Sequence, residues 1–336
     1  MSKILDTNKN KTRNIMFKND QIKATIIADS INYYHKTRII TYELEYPRFI
    51  HSELMTHKML AKNAASSRAI PIDKMIEQVR NNPAHPVYWG KNQAGMQAKE
   101  ELTDESLVKV QDFWKDASTT ACLFAKSMSE EQAHKQIVNR VLEPFSMMKT
   151  VITGTEWNNF FWLRNHTDAQ PEFHALANLM QKAKDESKPF VLHENEWHVP
   201  YIQRERYKFS SDFGDPISDG EIIYSSGDQV LTTDEALVLS SSLCAQTSYR
   251  KSDDTLEKAK NIYSRLVESE PVHASPFEHQ GMCYNINPFK LLTAIMFNYF
   301  IPKGVTHIDI NRNWWSGNLK HFIQYRQLIP NNVKVG

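Results

Sequence analysis

Apolar and polar residues alternate in a segment near the beginning of the chain. Residues 37–46 place Ile40 and Tyr42 on one side and Thr41 on the other, with a period of two. Residues 22–28 are also rich in β-branched side chains. Both segments are therefore predicted to be β-strands, and the second should bury one face.

The hydrophobic period changes to a helical one after Pro47. Phe49, Leu54 and Met59 recur at helical spacing and nothing between them breaks a helix, so a helix is predicted over residues 48–65. The same kind of pattern predicts further helices at 72–79, 104–140, 156–164, 171–185, 233–245, 255–268 and 316–326.

Two later elements have sequence signals of their own, a helix start at Thr232 and a strand at 145–151. Thr232 is followed three positions later by Glu235, which predicts a capping box at the start of the helix over 233–245. Residues 145–151 are predicted to form a strand between two helices. Helices and strands together indicate an α/β chain of the α+β kind.

The distribution of turn-forming residues suggests four segments. Residues 1–20 are polar and are expected to be a frayed leader, and 186–229 hold several Pro and Gly turns typical of an irregular connection. The parts that carry regular structure would then be 21–185 and 230–336.

The overall charge limits the classes of partner. Lys and Arg number 40 against 39 Asp and Glu, a net charge of +1, so the chain lacks the field of a nucleic-acid-binding protein and any phosphate must be bound locally. No apolar run approaches the length of a membrane span, and the first residues do not resemble a signal peptide. We expect a cytoplasmic protein without nucleic-acid or membrane partners.

The three cysteines are Cys122, Cys244 and Cys283. They are far apart and have no metal-ligand spacing, which argues against a disulfide framework or a zinc site and fits a reducing compartment. No metal site is predicted.

Three polar clusters remain as candidates for chemistry. They lie at residues 48–68, 164–172 and 273–279. Each has an ordinary interpretation when taken alone: a solvated helix face, a surface ion pair and a capping turn, respectively. A metal site at His273, His279 and Glu278 is less well supported, because histidines at solvent or capping positions are commoner than metal ligands. A nucleophile at Ser66 or Ser67 with His57 as base is also less well supported, because no Gly-x-Ser-x-Gly elbow is present.

The three clusters together resemble the motifs of one family, the flavin-dependent thymidylate synthases (ThyX). His57-x5-Asn63-x2-Ser66-x-Arg68 is similar to the signature R-H-R-x2-S-x-N-E-x-S-x-R-Y. Leu163-Arg164-x4-Ala169-Gln170-x-Glu172 is similar to the family's L-R-x4-A-Q-x-E helix, and His273-x-Ser275-Pro276-Phe277-Glu278-His279 to its H-x-[ST]-P-F-E-H turn. In this chain the last motif follows the signature instead of preceding it, so the resemblance implies a longer, rearranged variant with a central mixed or antiparallel sheet and long helices.

The resemblance also implies site residues. Arg164 would be the catalytic residue, because the matching arginine contacts the uracil and promotes ionisation of its ring nitrogen. The residues implied for substrate binding are Glu53, Ser66, Ser67, Arg68, Arg140 and Arg164. Those implied for the cofactor are Thr56, His57, Lys58, Asn63, Asp168, His273, Ser275 and Glu278.

The signature differs from the family pattern at several positions. Arg-His-Arg is replaced by Thr-His-Lys, and the pattern's first Ser, its Glu and its Tyr are replaced by alanines, namely Ala61, Ala64 and Ala69. Arg140 resembles the arginine of an R-x2-L-P element, although Leu142 stands one place early. The Asn and Arg expected before Arg164 are Thr153 and Thr155, so Asn318, Lys320 and Arg326 are candidates to replace them.

The resemblance implies that the chain converts dUMP to dTMP, with FAD and NADPH as cofactors, methylene-tetrahydrofolate as carbon donor and no cysteine nucleophile. A homo-oligomer, a tetramer or dimer, is implied as well. Two alternatives stay open: a related flavin-dependent C5 modification, giving a hydroxymethyl product or acting on a cytosine nucleotide, and a non-catalytic homologue that only binds nucleotide or flavin.

Overall fold

The computed structural model describes residues 20–206, 220–248, 255–286 and 302–334. Helices and β-sheets combine in these ranges, which confirms the predicted α+β class. The predicted leader lies outside the described residues except for Asp20, and so does the apolar run at 290–300. The division of the chain into four segments stays a prediction.

A five-stranded sheet lies at the centre of the fold. Its strands are β1 (Lys23–Asn32), β2 (Arg38–Pro47), β3 (Ala61–Ala64), β4 (Met147–Gly154) and β5 (Phe190–Leu192), in the order β3-β4-β2-β1-β5. All pairs are antiparallel except β1 with β5, so the sheet is mixed, as expected.

Eight helical segments surround the sheets in the described part of the chain. They are α1 (His51–Leu54), α2 (Ile72–Asn81), α3 (Asp104–Glu130), α4 (Lys135–Val138), α5 (Asn158–Arg164), α6 (Pro171–Glu186), α7 (Thr233–Ala245) and α8 (Leu256–Glu268). Short 3-10 helices occupy Arg48–Ile50, Asn139–Phe145, Gln246–Ser248, Ser275–Glu278 and Tyr325–Leu328.

Three small sheets complete the described structure. One holds β6 (Trp197–His198), β10 (Gly281–Cys283) and β14 (Phe322–Gln324), another holds β7 (Gln203–Arg206), β8 (Ile222–Ser226) and β9 (Gln229–Leu231), and the third holds β11 (His307–Ile308), β12 (Trp314–Ser316) and β13 (Leu319–Lys320). Because β5, β6, β7 and β8 fall within 186–229, the described part of that segment is more regular than the irregular connection predicted.

Helix α6 covers one face of the central sheet. Its buried side chains Phe173, Leu176 and Met180 are spaced as one helical stripe, and the hydroxyl of Tyr42 on β2 donates to the carbonyl of Met180 at 3.0 Å. Full burial of one such apolar side chain is worth about 1.5–3 kcal/mol. This packing fixes α6, and with it the end of α5, against the sheet.

The opposite face of the central sheet carries a row of buried polar side chains. Ser30, Thr41 and Thr153 stand on β1, β2 and β4. They form one chain of contacts with His198 and His279. The successive contacts, from Ser30 through His198, Thr41 and Thr153 to His279, are 2.8, 2.8, 2.7 and 2.8 Å long. Burial lowers the pKa of His198, and burial followed by the charge of Lys62 lowers that of His279 to about 3, so both rings are neutral.

The long helix predicted over residues 48–65 is wrong. A 3-10 turn and the four-residue α1 occupy its beginning, and Ala61–Ala64 form β3, which pairs with β4. Ala61 pairs with Thr153 and Asn63 with Val151. Hydrogen bonds to a partner strand therefore outweigh the weak local preference for helix.

The last predicted helix, at 316–326, is also wrong. Strands β12, β13 and β14 occupy this region, and a 3-10 turn follows. Gly317 and His321 have positive φ angles of 58°, a left-handed conformation that a continuous helix cannot contain. The helix predicted over 104–140 is divided into α3, α4 and a 3-10 helix.

Candidate functional site

The segment between α1 and β3 is folded by its own polar groups. The hydroxyl of Thr56 donates to the carbonyl of Glu53 at 2.7 Å. The ammonium of Lys62 donates to the carbonyls of His57 and Leu60. These bonds replace the backbone bonds that a helix would have made, and they present the His57 ring to the neighbouring helices.

Arg164, the last residue of α5, reaches this turn. Its Nε donates to Nε2 of His57 at 2.8 Å, and its Nη1 forms a short ion pair with Glu53. The guanidinium also lies 4.9 Å from the ring centroid of Phe173, and His57 lies 4.9 Å from the ring of Phe160. The predicted catalytic arginine is thus held by Glu53, by His57 of the signature and by the aromatic ring of Phe173.

Burial and the neighbouring charges keep the His57 ring neutral. Burial is the main cause, followed by the charges of Arg164 and Lys62, and together they lower the pKa of His57 to about 4. Its Nε2 therefore accepts the hydrogen bond from Arg164. The pKa of Lys62 is itself lowered to about 8, first by burial and then by Lys58, against an opposing effect of Glu278.

The third motif meets the signature at Asn63. The hydroxyl of Ser275 donates to the Asn63 side-chain carbonyl at 3.5 Å, and the Asn63 amide donates to the carbonyl of Cys244. Glu278, at the other end of the same 3-10 turn, forms a short ion pair with Arg326. Two predicted cofactor residues therefore touch each other, and a third lies on the same turn.

A second group of charged residues surrounds Glu143. One carboxylate oxygen, Oε1, accepts from the hydroxyl of Ser67 at 2.8 Å and from Nη1 of Arg140 at 2.9 Å, and it forms an ion pair with Arg48 at 3.0 Å. Arg68 is exposed and has no ion pair with the described residues. The structure therefore brings together two of the predicted substrate residues, Ser67 and Arg140.

A cavity of about 260 Å³ adjoins the loop that carries Ser66, Ser67 and Arg68. The loop itself contributes Ala65 and Ala69 to the wall. Other wall residues are Lys74, Met148, Lys149 and Thr247. Glu45 lines the same wall, so the lining combines two lysines and one carboxylate with apolar atoms.

Several predicted residues stand apart from these contacts. Asp168 is exposed beyond the end of α5, where its backbone carbonyl accepts from Gln97 at 3.0 Å. His273 is exposed, and its backbone NH donates to Leu266 and Ser269. Thr56 and Lys58 are exposed on the His57 turn. The described residues place neither Asp168 nor His273 in contact with Asn63 or Ser275.

Three charged residues in these contacts were not among the predicted site residues. Lys62 stands inside the signature, Arg48 precedes it, and Glu143 is the residue that separates Leu142 from Pro144 in the R-x2-L-P-like element. In the sequence, the displaced Leu142 pointed to Glu143. Lys62 and Arg48 had no sequence signal beyond their charge.

The cluster at Asn63 offers polar groups of the kind that a flavin dinucleotide needs. The side chains available are an amide, a hydroxyl, a carboxylate and the Arg326 guanidinium, whose buried Nε has no hydrogen-bond partner among the described residues. Donors of this kind suit ring carbonyls and a pyrophosphate. The residues present fit the group.

Neither a membrane span nor a metal cluster is found in the described ranges. No helix there is both long and apolar enough to cross a membrane. Likewise, no three or more His, Cys, Asp or Glu side chains in those ranges are grouped to hold a metal ion.

Comparison with known proteins gives matches among solved structures only. No family model and no curated protein matches the sequence. One solved structure is a UMP/dUMP methylase PolB from Streptomyces cacaoi bound with 5-Br UMP, 17% identical, with a TM-score of 0.38, covering 44% of this chain and 69% of that chain. The same methylase bound with 5-Br dUMP is 16% identical, with a TM-score of 0.38, covering 46% of this chain and 69% of that chain.

Proposed function

We propose that this chain is a flavin-dependent thymidylate synthase that reductively methylates dUMP at C5 to give dTMP. The carbon donor would be methylene-tetrahydrofolate and the reductant NAD(P)H. One observation carries the proposal: the turn from Glu53 to Asn63 touches both of the other motifs, Arg164 through His57 and Ser275 through Asn63. Motifs that are separate in the sequence are thereby joined by one turn.

Arg164 is the proposed catalytic residue. Its Nε and Nη1 are engaged by His57 and Glu53, while Nη2 makes no hydrogen bond to the described residues. A planar guanidinium fixed at two nitrogens can direct the third toward a pyrimidine oxygen. Negative charge that develops on that oxygen would be stabilised there, which makes C5 of the ring more nucleophilic.

Asn63, Ser275 and Glu278, with Arg326, would hold FAD. Reduced flavin supplies the hydride that completes the methyl group. The chain's own part is to bind and orient: Asn63 and Ser275 order each other, and Glu278 positions the Arg326 guanidinium. Lys58 is exposed on the His57 turn and would add a positive charge for the pyrophosphate.

The substrate would lie between Arg164 and the loop that carries Ser66, Ser67 and Arg68. Ser67 and Arg140 share one partner, Glu143, and the adjoining cavity of about 260 Å³ has Lys74 and Lys149 in its wall. Lys74 and Lys149 would contact the phosphate of the nucleotide there. Folate and NAD(P)H binding, and a homo-oligomer in the cytoplasm, belong to the same proposal.

The test is an assay of purified protein with dUMP, methylene-tetrahydrofolate, FAD and NADPH, in which mass spectrometry identifies the product. We expect a product 14 mass units heavier than dUMP, the mass of an added CH₂, and none with the Arg164→Ala variant. A hydroxymethyl product would show that the chain carries out the related flavin-dependent C5 modification and not the methylation. A protein that gains no flavin absorbance on addition of FAD and forms no product would overturn the enzymatic proposal.

A further inference from the structure

Glu143 occupies the centre of an anion-binding arrangement made by other parts of the chain. Its donors come from three segments: Arg48 follows β2, Ser67 follows β3, and Arg140 lies on the same 3-10 helix as Glu143. All three approach a single oxygen, Oε1, at 2.8 to 3.0 Å. Two guanidinium groups and a hydroxyl that converge on one oxygen form the kind of site that binds a phosphate oxygen.

The segments that carry these donors are fixed independently of Glu143. The side-chain amide of Asn139 donates to the carbonyl of Ser67 at 2.7 Å and to that of Ile70 at 3.0 Å, which ties the serine loop to the 3-10 helix. The backbone NH of Arg48 donates to the carbonyl of Ser146 at 3.0 Å. The donors would therefore stay close together if the carboxylate moved away.

The charge balance shows what Glu143 does to this arrangement. Arg48 and Arg140 carry two positive charges, and the carboxylate cancels one of them. A phosphate monoester brings between one and two negative charges at neutral pH and needs the same donors. With the carboxylate in place, the phosphate would meet both a lower positive charge and a repelling group.

We propose that Glu143 is a specificity-determining residue that acts as an internal competitor for phosphate. In the ligand-free chain its carboxylate takes the place of a phosphate oxygen on Ser67, Arg48 and Arg140. A phosphomonoester binds when Glu143 releases these donors, so the affinity for the phosphate is set lower than the donors alone would give. This inference rests on the proposed function only in taking the phosphomonoester to be that of the nucleotide substrate.

The exposure of Glu143, Arg48 and Arg140 permits this exchange, while Ser67 is buried behind them at 4% exposure. The Glu143 and Arg48 side chains are 20% and 21% exposed, and Arg140 is 56% exposed, so an anion can approach from solvent. Arg68 is exposed one position after Ser67 and is available as a further cation. A fully buried network would have offered no such path.

The inference is tested by titrating inorganic phosphate, dUMP and deoxyuridine into wild type and Glu143→Gln at constant ionic strength, using calorimetry. Removing the charge should raise the affinity for inorganic phosphate and dUMP about tenfold and leave that for deoxyuridine unchanged. Glu196→Gln is the matched control, since it removes a carboxylate from an ion pair with Arg206 elsewhere and should change neither affinity. Arg140→Ala added to Glu143→Gln should abolish the gain.

The outcomes separate this inference from the proposed function. No gain in phosphate affinity for Glu143→Gln overturns the competitor role, even if wild type methylates dUMP. If Glu143→Gln gains phosphate affinity but the wild-type protein methylates no substrate, the competitor role of Glu143 stands and the proposed methylation is excluded. If Glu143→Gln fails to fold, Glu143→Asp replaces it, because the shorter side chain withdraws from the donors; an unchanged phosphate affinity would then contradict the proposal.

Discussion

Nε of Arg164 donates to Nε2 of His57 over 2.8 Å, which joins residues 107 positions apart in the chain. The bond requires His57 to be neutral, and burial and the neighbouring cations lower its pKa to about 4. The guanidinium orientation is therefore set by a histidine that does not titrate near neutral pH.

Replacement of Arg164 should affect catalysis more than folding. Arg164→Lys keeps the charge but loses the planar donor set, so kcat should fall by about 10²–10³-fold, the effect of losing one donor that stabilises developing charge. The unfolding midpoint in urea and the flavin absorbance should stay close to wild type. Arg265→Lys, on helix α8, is the matched control and should retain activity. Equal kcat for Arg164→Lys and wild type would exclude the catalytic role.

The stability of the chain should depend on pH through its buried histidines. The ordinary pKa of His57 is 6.5 and its folded value is about 4, so between these values the unfolded chain binds a proton that the folded chain does not. The contribution of His57 to the free energy of unfolding should therefore be constant above about pH 6.5 and decrease as the pH falls toward 4. The lowered pKa values of His51 and His279 also decrease the free energy of unfolding as the pH falls.

Urea unfolding at several pH values between 5 and 7.5 measures this dependence. His57→Asn should show a smaller decrease than wild type, because one of the contributing groups is gone. His273→Asn, at an exposed position, is the control and should behave as wild type does. An identical pH dependence for His57→Asn and wild type would contradict the assignment.

The contact between Asn63 and Ser275 should support flavin binding. Asn63→Ala removes an acceptor for Ser275 and a donor to the Cys244 carbonyl, and each lost hydrogen bond is worth about 0.5–1.5 kcal/mol. We expect the dissociation constant for FAD, measured by fluorescence quenching, to rise about tenfold. Asn311→Ala, at an exposed position on the loop between β11 and β12, should have no effect.

Arg326 and Lys320 were both candidates for flavin contact, and the structure gives them different surroundings. Arg326 pairs with Glu278 of the third motif, whereas Lys320 pairs with Glu156 at 3.1 Å. Arg326→Ala should weaken FAD binding about tenfold, the cost of removing one charged partner, and Lys320→Ala should weaken it less. The hypothesis fails if neither variant changes the affinity.

The cysteines should be dispensable for the chemistry. Cys122, Cys244 and Cys283 are buried and unpaired, and burial raises the pKa of each thiol, that of Cys283 to about 12. None is therefore prepared to act as a thiolate nucleophile. The three single Cys→Ala variants should keep the kcat of wild type. A folded variant that loses all turnover would instead indicate a thiol-dependent reaction.

Local patterns in the sequence predicted the elements whose signals are local. The alternation through Ile40 and Tyr42 gave β2, and its apolar side chains are buried as expected. The Thr232 and Glu235 pair forms a capping box at the start of α7, with both reciprocal bonds present. In these cases the residues that determine the structure lie within one turn or one strand.

Elements that depend on a distant partner could not be predicted in the same way. Ala61–Ala64 are good helix formers, and their strand conformation follows from pairing with β4, about 90 residues later. The contact between Ser67 and Glu143 joins residues 76 positions apart and likewise has no local signal. The motif resemblance named residues of one site, but the partners of Arg164 became visible only in the fold.

The position of β3 at the edge of the central sheet affects how readily variants of the chain would aggregate. An edge strand offers unpaired backbone groups to other chains, and native proteins cover such edges. Here the 3-10 turns at Ser275–Glu278 and Gln246–Ser248 pack beside β3, and the Asn63 amide bonds to Cys244. The turn proposed to bind the cofactor thus also covers the edge of β3. Substitutions in the third motif are therefore expected to promote aggregation as well as to weaken ligand binding.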